Sequence, residues 1–212
     1  MTQPKVVIVD YGLGNLRSVA AAITQIGGAP EITSDVDSIA HAERIILPGV
    51  GAFGLATQYL QASGIGAAVL VAAEKGTPLL GICLGMQLLF DRGNEFGWSS
   101  GLGLIRGEVL PILGPDEETG LRDTHIGWRS LNFRPSQKDH PLFEGIGIAD
   151  SFYFVHSFAA QAADENDVIA TAAYGPDDLV VATSARNVMG VQFHPEKSGR
   201  SGLSLLENFT QF

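Results

Sequence analysis

A single cysteine, Cys83, stands between two glycines at two residues' distance in the run GICLG, residues 81–85. A strand ending at Ile82 and a helix opening at Leu84 would put Cys83 on a sharp strand-to-helix turn, with Gly81 and Gly85 relieving the crowding around it. A thiolate at such a turn faces unpaired N–H groups and the positive end of the helix dipole. Lowering a thiol pKa by about two units takes roughly 2.7 kcal/mol of differential stabilisation, which a helix terminus and a nearby imidazole can supply together. The competing reading is a small residue that simply packs, since a lone cysteine in an apolar run is more often buried than catalytic.

A nucleophile needs a base, and the chain has five histidines. His41 and His140 lie in polar, turn-like segments and read as solvated surface. His125 and His156 have aromatic and glycine neighbours, which suits either a structural or an interface role. His194 ends the strand-like run VMGVQFHP and is followed two residues later by Glu196. An extended backbone, which Pro195 favours at His194, would project both side chains to one side. A carboxylate beside an imidazole fixes its tautomer and favours the protonated ring, the part played by the third member of a triad. By itself His-Pro-Glu also reads as a surface turn; together with the elbow, the catalytic reading gains. A third element is LPGVGAFG, Leu47–Gly54, whose glycines leave N–H groups free to meet an anion. With the amide of Leu84 this loop is a candidate oxyanion hole, against the alternative of a glycine turn with no catalytic part.

The elements that must position these groups follow from hydrophobic patterning. KVVIVD is a continuous apolar run suited to a strand buried on both faces, and NLRSVAAAITQIG follows with helical spacing, Asn15 as N-cap and Gly27 as stop. ERIILPG reads as a strand, IGAAVLVAAEKG as a helix, TPLLGIC as a strand and LGMQLLF as a helix. The alternation predicts an α/β fold with a mostly parallel central sheet flanked by helices. Ligands on such sheets gather beyond the carboxyl ends of the strands, where the elbow and the Leu47–Gly54 loop both lie. The second half predicts added antiparallel strands in LGLIRGEVLPIL, RSLNF, DSFYFVHSFAA, DVIATAAYG, DLVVATSA and NVMGVQFHP, then a closing helix over Gly202–Phe212. The acidic stretch Gly114–Asp123 reads as an exposed loop rather than a linker, so residues 1–212 are expected to form one domain.

Composition narrows the function classes. A formal charge of −10 without a basic stripe argues against nucleic acid, and no apolar run is long enough to cross a bilayer. One cysteine cannot make an intramolecular disulfide, and MTQPK leads into a strand without a signal-peptide layout, so a reducing cytoplasmic setting is expected. VDYGLGNLR carries the first two glycines of a dinucleotide fingerprint, but Arg17 stands where the third is needed for close helix packing.

GICLGMQ, PGVGAF, DYGLGNL, THIGW, YFVHS and FHPEKSG occur in an order that resembles the class I glutamine amidotransferases, over essentially the whole chain. Within that class, DYGLGNL, HIGW and FHPEKS are similar to the glutaminase subunits of imidazole glycerol phosphate synthase. The resemblance implies that Cys83 attacks the side-chain amide of glutamine, that His194 serves as acid and then base, and that Glu196 orients His194. It implies an oxyanion hole from Gly51 and Leu84, substrate contacts from Gln87 and Glu95, and no cofactor or metal. It also implies a heterodimer with a (βα)₈-barrel cyclase subunit, to which ammonia passes. Asn15, Trp128, Tyr153 and Lys197 match positions at or near that interface, although Trp128 and Tyr153 also read as ordinary core aromatics. Thr124, Arg129 and Phe158 depart from residues usual in the family.

Overall fold

In the computed structural model, which describes residues 3–112, 123–175 and 177–212, β1 (Lys5–Val9) is buried from Val6 onward. Its side chains alternate between two cores: Val6 and Ile8 join one hydrophobic cluster, Val7 and Val9 the other. That period of two on a strand covered on both faces accounts for the unbroken apolar run. After it come α1 (Leu16–Gln25), β2 (Ala29–Thr33), α2 (Val36–Ala40), β3 (Ile45–Gly49), α3 (Phe53–Ala62), α4 (Ile65–Glu74), β4 (Leu79–Cys83) and α5 (Leu84–Leu88). In α1, Val19, Ala22 and Ile23 are the buried residues, a single stripe at helical spacing.

The second half contributes β5 (Phe90–Asn94), β6 (Trp98–Ser100), β7 (Ile105–Pro111), β8 (His125–Ser130), β9 (Asn132–Phe133), β10 (Ser151–His156), β11 (Phe158–Ala162), β12 (Val168–Tyr174), β13 (Asp177–Ala185), β14 (Val188–Val191) and α6 (Gly199–Phe209). The main sheet runs β2-β1-β3-β4-β14-β13-β11-β7-β5-β6, with β12 beside β13 and β9 beside β12. Strands from β2 to β14 are mutually parallel, whereas the pairs β14/β13, β13/β11 and β11/β7 are antiparallel. The mixed α/β sheet expected from the sequence is therefore present. α1 and α6 cover one face and α3 and α4 the other, as the membership of the two clusters shows.

Several local expectations need correcting. The helix expected over LGMQLLF stops at Leu88, because Phe90 instead opens a strand that pairs in parallel with β7. DSFYFVHSFAA breaks at Ser157 into two strands in different sheets: β11 joins the main sheet, and β10 pairs only with β8 in a separate two-stranded ribbon. The closing helix starts at Gly199 and ends at Phe209. α1 does begin after Asn15, and Gly27 follows its end with φ of 83°. Of the loop expected at Gly114–Asp123, all but Asp123 lies outside the described residues.

Candidate active site

β4 ends at Cys83 and α5 begins at Leu84, so the turn between them is a single residue with φ 56° and ψ −113°. A residue with a side chain adopts such a backbone only at a cost of order 1–3 kcal/mol, borne by the surrounding structure. That structure is closely packed. A Cβ on Gly81 would lie 2.6 Å from the Gly85 oxygen and 2.7 Å from the Met86 nitrogen, and one on Gly85 would fall on the Leu47 carbonyl. The two glycines expected to relieve the turn are thus required by close backbone approach. α5 has only five residues, so local N–H groups and neighbouring side chains, more than a long helix dipole, set the electrostatics at the sulfur.

His194 follows β14, which lies beside β4 in parallel register with Val191 opposite Ile82. Its Nδ1 is 2.8 Å from Glu196 Oε1, and the two side chains are 3% and 1% exposed. The backbone is extended at His194, as Pro195 predicts, but Glu196 folds back in a 3₁₀ turn over Pro195–Lys197. The pair is made by that turn, not by a continued strand. Burial alone would lower the His194 pKa, but hydrogen bonds to Cys83 and Glu196, reinforced by their charges, raise it to about 9. Cys83, His194 and Glu196 thus form one connected set, with the imidazole protonated beside the sulfur at neutral pH.

β3 pairs with β4 up to Gly49 opposite Cys83, so the loop that follows β3 starts beside the sulfur. Gly51 in that loop has φ of 101°, a value that favours glycine, and is exposed. Glu95, from the β5–β6 hairpin, accepts a 2.6 Å hydrogen bond from the Phe53 N–H at the loop's far end. Glu95 and the loop are therefore joined. Gln87 on α5 uses its Nε2 to donate to the Phe158 carbonyl (3.1 Å) and to Gln192 Oε1 (2.9 Å).

Two residues at the site were not singled out from the sequence. Gln192 is wholly buried, and its Nε2 lies 3.6 Å from Cys83 Sγ. Its place two residues before His194 on the same extended run was the available signal. Tyr11 is buried with its hydroxyl against Gly49 and unpartnered among the described residues. Burial raises its pKa, and the charge of Cys83 adds to the rise.

The residues matched to a partner surface cluster in part. Trp128 and Tyr153 are directly opposite in the β8–β10 ribbon, with rings 6.0 Å apart, and the Lys197 ammonium lies 6.0 Å from the Tyr153 ring centre. Ile126 pairs with Val155 on the same outward face, and Ile126, Trp128 and Val155 are exposed. The core reading of Trp128 is thereby overturned: the inward face of the ribbon is filled by Phe152, Phe154, His125 and His156. Asn15 is the residue before α1 and accepts from the Ser18 hydroxyl at 3.1 Å; α1 packs against the Pro195–Lys197 turn.

The family model described as glutamine amidotransferase class-I matches residues 7–211. The chain is 44% identical over 207 residues to "Imidazole glycerol phosphate synthase subunit HisH" of Sulfurimonas denitrificans, covering 98% of each chain. It is 46% identical over 206 residues to the protein of the same name from Methanosarcina barkeri, covering 97% of each. Its fold is similar to that of PurLQS from Thermotoga maritima, with a TM-score of 0.74 at 21% identity and 99% of each chain covered. It is also similar to the solved structure of a glutamine amidotransferase, with a TM-score of 0.69 at 22% identity, covering 96% of this chain and 98% of that one.

Proposed function

Because the chain belongs to the class I glutamine amidotransferase family, we propose that it is the glutamine-hydrolysing subunit of an imidazole glycerol phosphate synthase, acting in histidine biosynthesis. The observation that carries the catalytic reading is Cys83, held at positive φ between β4 and α5 and joined to a buried His194–Glu196 pair.

In this reading the Cys83 thiolate attacks the side-chain amide carbon of glutamine, with amides of Gly51 and Leu84 facing the developing oxyanion. His194, already protonated, gives its proton to the leaving nitrogen, and ammonia departs from a γ-glutamyl thioester. His194, now neutral, takes a proton from water, whose oxygen attacks the thioester; the C–S bond breaks and glutamate leaves with the thiolate restored. Glu196 holds Nδ1–H and stabilises the imidazolium. Gln87 and Glu95 hold the substrate, Glu95 suiting its α-ammonium group. Water would protonate free ammonia and remove its nucleophilic lone pair, which favours a shielded path to a second site. That site belongs to a (βα)₈-barrel cyclase subunit docked on the outward face of the β8–β10 ribbon, with Asn15, Trp128, Tyr153 and Lys197 at or near the contact. Support comes from the exposed Ile126, Val155 and Trp128 and the half-buried Tyr153 paired with Trp128, since aromatic residues in a polar surround mark interfaces. The setting proposed for the complex is the cytoplasm.

Glutamate release measured with and without the cyclase barrel and its ribonucleotide ligand tests this. Low activity alone, a large rise in the complex and none for Cys83→Ala are expected. Activity that survives Cys83→Ala would remove Cys83 as nucleophile, and full turnover without the barrel would remove the partner dependence.

A further inference from the structure

Gln192 has no exposed surface, and its side chain ends against the sulfur of Cys83. A chain of hydrogen bonds fixes which end of the amide points there. The Phe158 carbonyl can only accept, so the Gln87 atom 3.1 Å from it is the amide nitrogen. The same nitrogen lies 2.9 Å from Gln192, whose facing atom must therefore be the oxygen. The remaining end of Gln192, its Nε2, is the atom 3.6 Å from Cys83 Sγ. The orientation thus comes from a backbone carbonyl of β11 and does not depend on the state of the thiol.

We propose that Gln192 is a catalytic residue for the reaction assigned above, its Nε2–H donating to the Cys83 sulfur, and that Gln87 is the positioning residue that keeps the amide turned that way. The inference rests on the reading of Cys83 as nucleophile. A hydrogen bond to sulfur strengthens as negative charge accumulates there. It therefore favours the sulfur wherever it carries negative charge in the reaction, as it attacks the amide and as it leaves when water cleaves the thioester, while contributing little when the sulfur is acylated and neutral. His194 acts differently, by giving up and taking back a proton. Gln192 exchanges none and can act in both half-reactions unchanged. Gln87 then has two tasks on one side chain, since both Nε2 hydrogens are spent on Phe158 and Gln192 and only Oε1 is left to meet the substrate.

Cys83 is the only cysteine of the chain, so thiolate formation can be followed on the full-length protein without interference from another thiol. The experiment measures the pH dependence of iodoacetamide alkylation for wild type, Gln192→Met and Gln87→Met, with near-ultraviolet circular dichroism as a check of packing. Met keeps the volume and removes the donor, while the other titratable groups that face the sulfur, His194 and Tyr11, stay in place. Loss of one hydrogen bond to a charged group should move the alkylation rate at a given pH below its plateau down by about tenfold. Gln87→Met should move it the same way by less, because the Gln192 amide is then free to turn, and it serves alone where Gln192→Met does not fold. Alkylation profiles of both variants that superimpose on wild type overturn the inference. Glutaminase activity surviving in Cys83→Ala would overturn the nucleophile assignment instead, a result that leaves the alkylation profiles untouched.

Discussion

His194 and His156 are buried to a similar degree, 2% and 7% exposed, yet they are driven in opposite directions. His194 rises to about 9 because Cys83 and Glu196 outweigh its burial. His156 falls to about 3: burial dominates, the hydrogen bond to the Phe158 carbonyl offsets only part of it, and the charges of His125 and His194 push the same way as burial. The bonds around His156 also fix its state. Phe158 O accepts from Nδ1 at 2.8 Å, so Nε2 is bare and accepts from His125 Nδ1 at 2.9 Å, leaving His125 Nε2 buried and unpartnered among the described residues. The difference teaches that burial by itself makes a histidine neutral and structural. An anionic partner is what turns a buried histidine into an acid.

The largest expected effect comes from removing that partner. Glu196→Gln keeps the shape and the acceptor for Nδ1–H but deletes the charge, so glutaminase activity in the complex should fall by roughly 10⁴-fold, as for another triad whose carboxylate becomes an amide. The alkaline limb of the rate profile, expected near pH 9 in wild type as His194 loses its proton, should move to lower pH. Stability follows the same sign. The native His194 pKa lies above its unfolded value of 6.5, so its contribution is complete below about 6.5 and is lost as the pH rises through about 9. If the alkaline limb of Glu196→Gln stays where it is in wild type, the contrast with His156 does not come from the carboxylate.

A smaller effect is expected at the other histidine. His156→Leu leaves the His125 Nδ1–H without a partner, a cost of about 1–3 kcal/mol for a buried group left unsatisfied, and leaves the Phe158 carbonyl with Gln87 Nε2 as its remaining side-chain donor. Chemical denaturation at neutral pH reads it, and the rate profile near pH 9 should not move. Native pKa values of about 4 and 3 for His125 and His156 lie below the ordinary 6.5, so their contribution is present above 6.5 and is lost as the pH falls through those values. The variant should therefore lose stability less steeply than wild type on acidification. An equally steep acid loss would mean that these rings are not the groups that titrate.

The two regions also differ in how far the sequence revealed them. The elbow was legible because its determinants are local: one apolar run, Cys83, and glycines two residues away on either side. The His194–Glu196 pair was legible for the same reason, although a tight turn rather than an extended strand makes it. The contact between Gln192 and Cys83 spans 109 residues and depends on β14 lying beside β4, which no periodicity specifies. The ribbon was hidden for a related reason. YFVHSFAA is one uninterrupted strand pattern, and only the pairing of β10 with β8 and of β11 with β7 shows that the chain changes sheets at Ser157. Alternation tells which residues share a face but not which face is covered, so the sequence leaves Trp128 and Tyr153 between core and interface, and it is Phe152 and Phe154 that fill the inside.

The smallest expected effect on the chain itself follows from that division of the ribbon. Trp128 is 51% exposed and meets Tyr153 edge-on, so Trp128→Ala should change the stability of the isolated chain by about 1 kcal/mol or less. Affinity for the proposed barrel partner should instead drop by about tenfold or more, as when an aromatic anchor is truncated at an interface. The strand that presents Tyr153 outward also holds the histidine: the Tyr153 carbonyl accepts from the His194 N–H at 3.0 Å, and the Tyr153 N–H donates to the Ser198 hydroxyl at 3.0 Å. Ser198 in turn donates to the His194 carbonyl at 2.6 Å. A partner that shifts β10 would therefore pull directly on the backbone of His194, whereas His156 on the inner face is bonded to His125 and the Phe158 carbonyl. Titration calorimetry against the barrel, paired with denaturation of the free chain, separates the two faces. A Trp128→Ala chain that is much less stable but binds as tightly as wild type would reverse the assignment of inside and outside.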